Sequence, residues 1–209
     1  MKKLIMAAMV GLSISSLAAT HLDMGDLEYK KNLFMTKSGI TVDGEYKISD
    51  IMGKSIFSFR GGNLENFEYD GKGRDDLEIE GKFVKDKYFR GEVSIEKRDT
   101  TDSGKEIKEE ISLDGNIESQ GIFQFAKSLL TKKSVKEPTF SEINLWKVQD
   151  GKKEIEKKKI TEISKNTKDE KYSSYRVDEM EKKEVYSDGK MIHTQTSNKS
   201  KTESRMKKS

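Results

Sequence analysis

Few residues in this chain have the types and spacing that chemistry requires. Cysteine is absent and there are two histidines, His21 and His193. That removes disulfides, thiolate nucleophiles, iron–sulfur clusters, cysteine-ligated zinc and a cysteine-linked lipid anchor, and it argues against a histidine-rich metal site. The run Gly71-Lys72-Gly73-Arg74-Asp75-Asp76 opens like a dinucleotide loop, but it lacks the third glycine and any following βαβ pattern. Asp70 to Asp76 hints at a calcium loop, yet Lys72 and Arg74 stand where oxygen ligands are needed. There is no Gly-x-Ser-x-Gly elbow and no phosphate loop. His193 would orient a serine only if an acid and a nucleophile converged on it; near a hairpin end it reads as a solvated strand residue. Paired carboxylates could build a hydrolase, but 37 acidic residues offer no spacing that selects two of them. The expectation is a non-enzymatic protein, with no catalytic residue, cofactor or metal assigned.

One aromatic group has binding chemistry. Trp146 and the tyrosines Tyr172, Tyr175 and Tyr186 lie among lysines. Rings and cations together can hold glycans or single-stranded nucleic acid. Nucleic acid is not expected for a chain that opens, as this one does, with Met1-Lys2-Lys3 and an apolar run in the order of an export signal, and rings in an alanine-poor chain of strands mostly fill cores.

Export is the most specific signal. Met1-Lys2-Lys3 precedes an apolar stretch from Leu4 to about Ile14, then Ser15-Ser16-Leu17-Ala18-Ala19. That is the order of a secretory signal: cationic start, short apolar centre, small residues at the cut. Ser16 and Ala18 suit a cut after Ala18, whereas a cut after Ala19 sets bulky Leu17 three residues ahead of it. The run is shorter than the roughly 20 residues that span a bilayer. The expected location is the periplasm or the exterior.

The elements that must position any site are mainly strands. Charged residues make up 37% of the 209 and hydrophobic ones 33%, which excludes a multispanning membrane protein. The net charge of +3 is too balanced for a dedicated nucleic-acid binder. Beyond residue 18 only Ala19 and Ala126 are alanines, against 9 phenylalanines in the chain, which disfavours a helical bundle. Asp-Gly recurs at 43–44, 70–71, 114–115, 150–151 and 188–189, a dipeptide suited to tight hairpin turns. Alternation marks strands at 41–48, 55–60, 77–79 and 82–84, and a hairpin at 184–193. One segment differs. Ile122, Phe125, Ala126, Leu129 and Leu130 follow helical spacing and predict a short amphipathic helix over about 121–131. It would be either a core helix covering the sheet or a lid over an apolar groove.

Composition shifts near residue 130, from an acidic, apolar-richer part to a basic, apolar-poor one. The expected organisation is a signal peptide (1–18), a β-meander ending in the helix (19–130), a charged β-hairpin extension (131–195) and a disordered basic tail (196–209). The segment 152–171 fits neither a clean helix nor a clean strand; Asp150-Gly151 ahead of it inclines it to strand.

Glycines 61, 71, 81 and 91 recur every ten residues. The stretch from Glu80-Gly81-Lys82-Phe83 through Asp86 to Tyr88-Phe89-Arg90-Gly91 resembles a degenerate MORN repeat or the similar β-hairpin repeats of secreted bacterial proteins. Asp86 replaces the turn glycine and the closing glycine falls one residue late. The resemblance covers about residues 27–98 and implies a single-layer meander that scaffolds or binds. The sequence thus predicts an all-β fold, an antiparallel meander or curved open sheet with one short helix. Its partner would be an envelope protein or an anionic envelope surface. A carrier of an apolar ligand under a helical lid is the alternative.

Overall fold

The computed structural model describes residues 19–206 apart from 52, 72–74, 85–87, 103–104 and 168–169; over 161–174 and 204–206 only the backbone is described. The expected signal segment, Ala18 included, lies outside the described residues, as do the middle of the 71–76 loop and Asp86. The strands are β1 (Thr20–His21), β2 (Leu27–Lys30), β3 (Leu33–Thr36), β4 (Gly44–Ser49), β5 (Gly53–Arg60), β6 (Asn63–Gly71), β7 (Asp75–Val84), β8 (Tyr88–Thr100) and β9 (Lys105–Glu118). Two helices follow, α1 (Ser119–Thr131) and α2 (Phe140–Asn144), then β10 (Val148–Thr167), β11 (Glu170–Ser187) and β12 (Lys190–Met206). The fold is all-β. Strands β4 to β12 form an antiparallel meander in chain order, β1 joins β4 in parallel at one edge, and β2–β3 is a separate hairpin.

Alternation places one face of the meander against α1. Residues Leu77, Ile95, Ile111 and Ile155 form one cross-strand row, and Ile79, Val93 and Leu113 the next. Apart from partly buried Ile155, all are buried. The stripe Ile122, Phe125, Ala126, Leu129 and Leu130 is buried on these rows. Phe125 meets Tyr69 edge-on, with ring centres 4.9 Å apart, and Phe67 at 6.1 Å. Burial of each large side chain contributes about 1.5–3 kcal/mol, so α1 is a core element.

Three features correct the sequence reading. The fold holds a second helix, α2, started by a capping box in which the Thr139 hydroxyl accepts from the Glu142 N–H and the Glu142 carboxylate accepts from the Thr139 N–H. Residues 196–206, expected to begin a disordered tail, continue β12 and pair with β11 along its length. Ser200 Oγ donates to Asp178 across that seam at 2.7 Å, so a polar strand without an apolar face is held by its ladder. Residues 207–209 lie outside the described residues. The third correction concerns Asp-Gly. Only Asp188-Gly189 makes a two-residue hairpin turn, with φ of 50° and 70°, while Gly115 and Gly151 face each other in mid-strand.

Gly115 and Gly151 belong to a row. Gly81, Gly91, Gly115 and Gly151 stand opposite one another across β7, β8, β9 and β10, between Phe67 on β6 and Tyr186 on β11. They occupy the core-facing alternation. A Cβ on any of them would overlap a carbonyl of the adjoining strand: Arg90 for Gly81, Glu80 for Gly91, Asp150 for Gly115, Asp114 for Gly151. The row is a crease in which neighbouring backbones close on each other, leaving no room for a side chain.

The opposite face of the sheet is ionic. Asp76, Glu96, Glu110, Glu156 and Glu181 form one acidic row across β7 to β11. Two residues along lies a mostly basic row of Arg98, Lys108, Lys158 and Glu179. On the core-facing side, two residues beyond Ile155 and Ile111, the basic part meets the acidic part at the β9–β10 seam, Lys157 pairing with Glu109 at 2.6 Å.

Candidate functional site

The core-facing rows run past the end of α1, and there their chemistry changes. The row of Ile79, Val93 and Leu113 continues as Lys153 on β10 and Glu184 on β11, and the glycine row continues as Tyr186. Beyond the cover of the helix, this polar floor opens into a cleft of about 850 Å³. It is lined by the first turns of α1, the 144–149 segment, Tyr88 and Gly189. Two backbone bonds fix the frame: the Glu118 N–H donates to Lys147 O and the Gly189 N–H to Gln149 O, both at 2.8 Å.

Four half-buried rings line the cleft: Tyr88, Phe123, Trp146 and Tyr186. Trp146 lies against α1 at Gly121, where any Cβ would collide with the indole. Gly121 lies inside α1 and makes room for the ring. The α2 capping box sets the turn that delivers Trp146, whose backbone N–H donates to Ile143 O at 3.0 Å. Phe123 is braced from behind by Phe83, 5.7 Å away and nearly perpendicular.

The charges of the floor are tied down. Lys153 donates from Nζ to the Asn144 carbonyl, and burial holds its ammonium below the ordinary lysine range, partly offset by Glu184. Burial works to raise the Glu184 carboxyl, but hydrogen bonds from Lys182 and Tyr186, each at 2.7 Å, outweigh it and leave the group below the usual range. Burial, then the bond to Glu184, pushes the Tyr186 hydroxyl up to about 12. Acceptors and donors here hold ionised and neutral forms in place. Gln120, Gln124, Asn144 and Gln149 also line the cleft, and their side-chain amides have no hydrogen-bond partner among the described residues.

Of the aromatic group read from the sequence, the fold brings Trp146 and Tyr186 together here. Tyr175 lies exposed on the ribbon formed by the far ends of β10 to β12, and the Tyr172 side chain lies outside the described residues. His193 is exposed and stands opposite Val185. Tyr88, Phe123, the four amides and Lys153 were missed, and only the position of the helix over the sheet identifies them. A second polar group surrounds Tyr69, whose hydroxyl donates to Glu137 on the α1–α2 connection. Burial raises the Glu137 carboxyl, the bond from Tyr69 opposes this, and Asp75 and Asp50 reinforce it. Among the described residues no cluster of histidine, aspartate and glutamate is arranged to hold a metal ion. Comparison with protein-family models, with curated proteins and with solved structures finds no match to this chain.

Proposed function

We propose that the chain is an exported, non-enzymatic binding or scaffolding protein of the bacterial cell envelope, and that the cleft beside α1 is where it holds its partner. The cleft carries the proposal. It is concave and framed by backbone bonds, with rings and unpaired amides converging on one space, the usual composition of a binding site. Export is supported by the three-part N-terminal segment, and a scaffolding role agrees with the meander that the hairpin-repeat resemblance implies. The carrier reading receives less support, because Phe125 and its neighbours fill the space beneath α1 with side chains.

The test compares envelope material retained by the mature protein and by a Trp146→Ala, Tyr186→Ala variant whose circular dichroism matches it. Retention of a discrete species by the first and its loss from the second is expected. Identical profiles would remove the cleft from the proposal.

A further inference from the structure

We infer that the cleft takes a carbohydrate: a neutral, hydroxyl-rich ring seated against Trp146 and Tyr186, with its hydroxyls on Gln120, Gln124 and Asn144. The inference rests on the cleft being a binding site and adds the ligand's chemistry. Each primary amide both donates and accepts, so a set of unpaired amides suits a ligand whose every polar group is a hydroxyl that does the same. The rings offer the flat apolar faces against which the C–H side of a sugar packs. Other classes fit this surface less well.

An apolar ligand would strip water from several amides and leave them unpaired, which opposes binding. An anionic polymer needs a run of free cations along a groove; here Lys153 already donates to the Asn144 carbonyl and has Glu184 opposite it, which leaves Lys147 as one cation in a lining that also holds the Glu118 carboxylate. A peptide strand binds by pairing with an open edge, but the backbone groups at Glu118, Lys147, Gln149 and Gly189 are spent on the frame.

Trp146 is the single tryptophan of the chain, so its emission reports on this cleft alone. The mature protein is titrated separately with chitotetraose, cellotetraose and maltotetraose, following that emission and confirming by calorimetry. Saturable binding of at least one is expected. The Gln120→Ala, Gln124→Ala variant should weaken it about tenfold, the scale of two lost hydrogen bonds, with unchanged thermal unfolding. A double variant that binds as tightly as the parent would overturn the inference. So would a saturable response to laurate or to an acidic peptide with none to the three sugars, while leaving the cleft a binding site. No response to any of these probes, together with unchanged envelope retention by the Trp146→Ala, Tyr186→Ala variant, would overturn both.

Discussion

Glu96 on β8 and Glu110 on β9 stand directly opposite each other, and Lys108 Nζ reaches both, at 2.6 and 3.2 Å. Like charges opposed across a ladder are unfavourable, and here the cation two residues along the strand offsets them. Lys108→Met should therefore cost about 1 kcal/mol, a value that allows for solvent screening of partly exposed groups and shrinks in high salt. The hydrogen bond from Lys108 lowers the Glu96 carboxyl despite some opposing desolvation. Because the folded pKa is depressed, this stabilisation is present above the ordinary glutamate range and disappears as pH falls through the lowered value. Urea unfolding of both proteins at neutral and acidic pH should show the gap closing in acid.

Glu137 gives the opposite sign. Its carboxyl is raised on folding, so the native state binds the proton more tightly and stability falls as pH rises through the raised value. Glu137→Gln keeps an acceptor for the Tyr69 hydroxyl and removes the charge near Asp75 and Asp50. At pH 7 it should stabilise the protein by up to about 1 kcal/mol, the scale of a single charge contact, and should do nothing at pH well below the ordinary carboxylate range. Thermal melts across pH would measure this; a destabilised variant at neutral pH would contradict it.

Phe125→Ala and Leu129→Ala should each cost about 2–5 kcal/mol, as for large side chains deleted from a packed core. Saccharide binding at the cleft should be unaltered where the variant remains folded. A small stability loss with loss of a co-purifying lipid would instead favour the carrier reading.

Gly91→Ala should be severe, costing more than about 3 kcal/mol, because the new methyl meets the Glu80 carbonyl and the Gly81 backbone. Gly39→Ala provides the comparison, having open space around it and only a left-handed φ of 85° to strain, for about 1–2 kcal/mol. Equal unfolding midpoints for the two would refute the crease.

Intact mass of protein recovered from the periplasm or medium should correspond to cleavage after Ala18 or Ala19. A full-length cytoplasmic species as the main form would end the export proposal.

Much of the scaffold was legible. Scarce alanine and short alternating runs gave the all-β class, and the spacing from Ile122 to Leu130 located α1, because local periodicity directly encodes a one-sided face. The α2 start was also legible in Thr139-Phe140-Ser141-Glu142, a capping box that passed unread. The mid-strand glycines were not. Asp114-Gly115 and Asp150-Gly151 look like turns locally, and only pairing between strands 36 positions apart in register gives them their place. Lys153 was illegible for a similar reason. Its alternation with Ile155 marks it as core-facing, and it becomes cleft floor only because α1 ends before reaching it.

The glycine row also has a bearing on how the strands find each other. Its members come from positions as distant as 81 and 151, so the row exists only when four strands are aligned at once. A slip of two residues between β8 and β9 keeps every apolar side chain on its face and would lose little burial. It would, however, bring Leu113 or Ile117 opposite Gly91, driving a branched side chain into space that two backbones already share. The crease thus acts as a vernier, rejecting by collision the misalignments that hydrophobic patterning alone would tolerate.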